Sequence, residues 1–144
     1  MQESREGLKG VLAQIACRGT DVRSRPDAVR MKWLVCGDGT YLSVAAAASV
    51  GSLPFRSGGP YTHVEVGYPS VLPPPQWAQE YEVEPGVYRR VPVEAVQEWI
   101  DEHGGEAAAF SVEDHARNWA ALLANPVRRG GRRFRGWFRG RCRG

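Results

Sequence analysis

The sequence predicts a small α+β domain with short antiparallel strands and two to four helices, followed by a disordered basic tail. Three observations carry this. Tyr61-Thr62-His63-Val64-Glu65-Val66-Gly67 alternates in polarity, as a half-buried strand does. Segments 4–17 and 93–103 instead repeat their apolar residues at helical spacing. From Val127 to Gly144 the chain holds eight arginines, no acid and little aliphatic surface, so it lacks the means to build a core. At 144 residues with a 42% apolar fraction, one domain with appendages is expected, and ten prolines and seventeen glycines imply short elements joined by long connections.

In order along the chain, Leu8, Val11, Leu12 and Ile15 give one apolar face of a helix over 4–17. Arg18 to Arg30 is polar and interrupted by Gly19 and Pro26, so residues 1–30 read as a helical extension and linker. Residues 31–125 read as the α+β domain and 126–144 as the tail. Lys32-Trp33-Leu34-Val35-Cys36 reads as a buried strand ending in a Gly37-Asp38-Gly39 turn. Tyr41–Val44 fits a hairpin return strand. The alanines from Ala45 to Ala48 favour a helix over Tyr41–Val50, stopped by Gly51, and the helix is the preferred reading. Pro73-Pro74-Pro75 predicts a stiff extended spacer. Segments 80–84 and 87–91 flank Pro85-Gly86 as a hairpin. Pro92 opens a helix whose Val93, Val96, Trp99, Ile100 and His103 share a face, and Gly104-Gly105 closes it. Ser111-Val112-Glu113-Asp114 has the layout of a capping box for a last helix with Val112, His115, Trp119 and Leu122 on one face.

Charge is segregated. The whole chain carries +3 and the tail +8, so the preceding 126 residues carry −5. Within them, residues 73–126 hold ten acids against three bases. In the tail, Arg128, Arg129, Arg132, Arg133, Arg135, Arg139, Arg141 and Arg143 suit bidentate phosphate contact. Phe134, Trp137 and Phe138 suit stacking on unpaired bases. The expectation is a non-enzymatic accessory protein that binds RNA or single-stranded DNA through this tail. Words such as Arg128-Arg129-Gly130-Gly131 and Phe134-Arg135-Gly136 resemble RGG-type RNA-binding segments, without a regular Arg-Gly-Gly repeat. The rival is that the tail pairs in cis with the acidic segment before it. A second class of function is a protein-binding adaptor or inhibitor, of viral or mobile-element type, that uses the acidic 80–114 face.

The third class is a Cys–His hydrolase or acyltransferase, with Cys36 and His63 as candidate nucleophile and base and Glu65 placed to orient the imidazole. Gly39-Thr40-Tyr41-Leu42-Ser43 resembles the start of the active-site helix of viral papain-like leader peptidases. Tyr61–Val66 is similar to the strand that bears their histidine. His63 with Asp114-His115 and Trp119 resembles the H-box and Asn-Cys box of the lecithin:retinol acyltransferase-like group. Thr40 in the first case and Val112-Glu113 in the second stand where the nucleophilic cysteine belongs, so either resemblance implies a fold without its activity.

His63, His103, His115 and the cysteines show no metal-ligand spacing, and neither metal nor cofactor is expected. Cys17, Cys36 and Cys142 read as three free thiols suited to a reducing compartment. The charged start Met-Gln-Glu-Ser-Arg-Glu is unlike a signal peptide, and no apolar run reaches the roughly 18 residues of a membrane span. A cytoplasmic location is expected, or a nuclear one if the tail acts as an import signal.

Overall fold

The computed structural model describes residues 10–56 and 58–111. Their elements are α1 (Gly10–Arg18), β1 (Lys32–Cys36), β2 (Tyr41–Ala45), a 3-10 turn (Ala48–Val50), β3 (His63–Gly67), α2 (Pro75–Glu80), β4 (Glu82–Glu84), β5 (Val87–Pro92), α3 (Val93–Glu102) and β6 (Glu106–Ser111). The six strands form one sheet in the order β4-β5-β3-β2-β1-β6. Every neighbouring pair is antiparallel. This is the α+β class the sequence predicts.

The β1–β2 hairpin closes at the expected turn, with Trp33 opposite Ser43 and Val35 opposite Tyr41. Beyond it the preferred helix over 41–50 does not form. Tyr41–Ala45 is a strand between β1 and β3, and only Ala48–Val50 winds into a 3-10 turn ended by Gly51 at φ 76°. The alanines favour a helix by only a few tenths of a kcal/mol each. Hydrogen-bonded ladders on both sides, with Leu42 and Val44 fully buried, outweigh that preference.

β3 begins at His63 rather than Tyr61. Val64 and Val66 face the core as the alternation implies, but Thr62 is exposed and Tyr61 buried. The Tyr61 amide donates to the Ala16 carbonyl at 2.6 Å, and its hydroxyl to the Arg56 carbonyl at 2.6 Å. These bonds turn the chain out of strand geometry and tie it to α1. The proline run is not all spacer, because Pro75 occupies the first turn of α2, where its missing N–H is no loss. Trp77 on that helix is buried and meets Tyr81 and Tyr88 edge-on, at 6.1 and 5.8 Å between ring centroids. The β4–β5 hairpin and α3 form where the sequence places them. β6 was not expected. Its Ala107, Ala108 and Ala109 carry no strand signal, and its pairing partner β1 lies some seventy residues earlier.

The sequence reads residues 1–30 as an extension, yet Val11, Leu12, Ile15 and Ala16 of α1 lie in the same core cluster as Leu34, Val64, Val96 and Ile100. The polar segment after α1 hides this in the sequence. Glu106 at the start of β6 fixes the helix. Its carboxylate accepts the amides of Val11 at 2.8 Å and Leu12 at 3.1 Å, two donors that α1 cannot satisfy itself. Negative charge there also complements the helix dipole. Burial pushes the Glu106 carboxyl up, against the pull of the two amides. A side chain on Gly10, at φ 59°, would collide with that carboxylate.

The expectation of three free thiols is corrected at Cys17, which is disulfide-bonded. Cys36 is a free, buried thiol. No helix among the described residues is long and apolar enough to cross a membrane.

Candidate functional site

Cys36 and His63 are not brought together. The Cys36 amide donates to the Thr40 carbonyl, so Cys36 lies at the turn end of the β1–β2 hairpin. Ala45 is opposite Glu65, which puts His63 two residues past the far end of β2. At roughly 3.3 Å per residue the two lie on the order of 20 Å apart along the sheet, against the ~3 Å that a nucleophile–base pair needs. Burial pushes the Cys36 thiol up to about 12, with a hydrogen bond to the Thr40 side chain pulling the other way. Glu65 does not orient His63 either. Its Oε2 accepts from Arg89 Nε at 3.0 Å, while His63 Nδ1 lies 2.8 Å from Thr62 Oγ1. Thr40 and Tyr41, in the run that resembles a leader-peptidase helix, lead into β2. In the native protein Cys36 is therefore expected to stay unmodified by a thiol-alkylating probe at neutral pH and to react after unfolding. Rapid native labelling, located by peptide mapping, would contradict its buried placement.

The histidine that does meet a carboxylate is His103. It caps α3, and its Nδ1 lies 2.8 Å from Asp38 Oδ2 in the β1–β2 turn. An ionised carboxylate only accepts, so Nδ1 carries the proton. The other Asp38 oxygen accepts the Thr40 amide at 2.9 Å and hydroxyl at 2.7 Å. Two backbone bonds, from Asp38 to His103 and from Gly37 to Gly105, complete a clasp between turn and helix. Burial alone would raise the Asp38 carboxyl, but the hydrogen bonds from Thr40 and His103 win and hold it below its ordinary value. Such a group stabilises the fold above its unfolded-state value, about 3.9, and loses that contribution as pH falls through the lower folded value. Asp38→Asn is expected to lower the melting temperature at neutral pH and to flatten its decline in acid. Parallel acid profiles for the two proteins would contradict this.

A second cluster lies at the other end of the sheet. Val64 is opposite Val91 and Val66 opposite Tyr88, so Glu65 alone faces both Arg89 and Arg90. This is a β-bulge, and Arg90 sits in it at φ 57°. Both arginines are exposed. The guanidinium of Arg90 lies 5.1 Å from the ring centroid of Phe55, which is itself 58% exposed. Phe55 is held there because the Leu53 carbonyl accepts the amides of Thr62 at 2.8 Å and His63 at 3.3 Å, pinning the loop to the start of β3. Arg56 follows and is also exposed. Sequence reading missed this group. One signal was present: consecutive arginines before Val91 break the alternation that Tyr88 begins, as a bulge does.

The acids of the 80–114 segment fall on several elements. Glu80, Glu82 and Glu84 are exposed around β4, at one edge of the sheet, and Glu94, Glu98, Asp101 and Glu102 are exposed on α3. Glu106 is used internally as the cap of α1. The tail arginines and aromatics, together with Glu113, Asp114, His115 and Trp119, lie outside the described residues. Among the described residues no three His, Cys, Asp or Glu converge as a metal site. No protein-family model, no curated protein and no solved structure matches the chain.

Proposed function

We propose that the protein is a non-enzymatic binder of single-stranded nucleic acid, RNA in the first instance, acting through residues 127–144. One observation carries the reading: eight arginines and three large aromatic rings, interleaved with glycine, occur there without a single acid. Guanidinium groups fork onto phosphate oxygens, aromatic rings accept any base face, and glycine lets the chain follow an irregular strand. The separation of Cys36 from His63 supports a non-enzymatic role by removing the nucleophile–base pair that the sequence offered. Protein purified at low salt is expected to carry nucleic acid, raising its 260/280 absorbance ratio, and to release it in a high-salt wash. A ratio typical of pure protein before and after the wash would overturn the reading.

A protein-binding adaptor role is favoured by a different observation. Val83 is 55% exposed between Glu82 and Glu84 on the edge strand β4. Pull-down of a partner that survives nuclease treatment, and is lost on Val83→Lys, would favour that reading.

A further inference from the structure

We propose that the folded body carries a contact site of its own for the same single-stranded nucleic acid, built from the Arg89–Arg90 bulge and Phe55. The choice of occupant rests on the proposed nucleic-acid role; the site itself rests on geometry. Arg90 occupies the left-handed region at φ 57°. Glycine adopts that conformation freely, whereas a side chain is strained in it. Strained backbone that persists in a fold clusters where a side chain is used. Here the strain sets the Arg90 guanidinium over the Phe55 ring and leaves that ring more than half exposed.

The neighbouring charges agree. Arg89 and Arg90 face a single residue of β3, Glu65, and exposed Arg56 follows Phe55 in the chain. Glu65 engages Arg89 through Nε, not through the terminal nitrogens that fork onto phosphate. The Arg89 stem passes near the start of the Phe55 loop, its Cδ 3.9 Å from where a Cβ on Gly51 would be. A cationic rim beside an exposed aromatic ring is the pairing that tracks a phosphate backbone while stacking one base. Double-stranded nucleic acid offers no unstacked base to such a ring, so the occupant is single-stranded.

The test is fluorescence anisotropy with a short labelled oligouridylate at low salt, on two full-length backgrounds: the natural chain and one with every tail arginine changed to glutamine. In the tail-neutralised chain, weak binding is expected to remain and to fall about tenfold on Phe55→Ala. Arg90→Gly is expected to raise the urea midpoint and yet weaken binding, an opposition that a purely structural arginine would not produce. Unchanged affinity in Phe55→Ala, absence of binding in the tail-neutralised chain, or a lowered midpoint in Arg90→Gly would overturn the site. Equal affinity in the two backgrounds, lost on Phe55→Ala, would support the site and overturn the tail as the binding element. Tighter, Phe55-dependent binding of oligoglutamate than of oligouridylate would overturn the choice of occupant.

Discussion

A chain ending at Pro126 is expected to bind oligouridylate at least about a thousandfold more weakly than the full chain at low salt. The estimate follows from what truncation removes. Eight arginines are lost, and a protein that makes about six to ten phosphate contacts loses a factor on the order of a thousand or more when salt alone screens them. Phe134, Trp137 and Phe138 leave with them, each ring being worth roughly 1–3 kcal/mol of stacking. What remains carries a net −5 and repels polyanions at long range. Weak residual binding at the Phe55 site is compatible with this. Equal affinity of the two chains is not, and would also revive the rival in which the tail lies across acids of the same molecule.

Leu12→Ala is expected to destabilise the domain by about 3 kcal/mol, read as a fall in urea midpoint at unchanged slope. Leu12 is fully buried in the core cluster, on a helix whose first amides are held by Glu106. Truncation there leaves a cavity bounded by the sheet and α3, which are fixed by their own hydrogen bonds and collapse little into it. Against a total stability of about 5–15 kcal/mol for a small domain, the loss is large. An appendage helix would respond differently: the same substitution would cost under about 0.5 kcal/mol. The measurement therefore separates an integral α1 from the extension that the polar 18–30 segment suggests.

Much of the fold was legible because its signals are local. The 3.6-residue spacing of Val93, Val96 and Ile100 gives α3, and Pro85-Gly86 gives the last hairpin. β2 and β6 were hidden for a shared reason. Alanine weakens the strand signal in both, through the Ala45–Ala48 run that begins at the end of β2 and through Ala107–Ala109 within β6, and each is completed by a strand that is not its hairpin neighbour, β3 for one and β1 for the other. The site shows the same division. Cys36 and His63 are visible as residue types, but only the register shows that they lie at opposite ends of the sheet. Asp38 and His103, 65 residues apart, meet because a hairpin turn and a helix end share one edge of the fold. Arg89-Arg90 left a break in alternation, whereas nothing in the residues around Phe55 says that its ring lies beneath Arg90. The tail is the opposite case, since its chemistry is compositional and legible without any fold.

The salt dependence of binding tests the central claim most directly. With eight arginines neutralising phosphates on a single strand, the logarithm of the association constant should fall against the logarithm of salt concentration with a slope of about −5 to −6. In the chain ending at Pro126 the slope should shrink to about −1 or −2. A near-zero slope in the full chain, or a steep slope that survives removal of residues 127–144, would contradict the account.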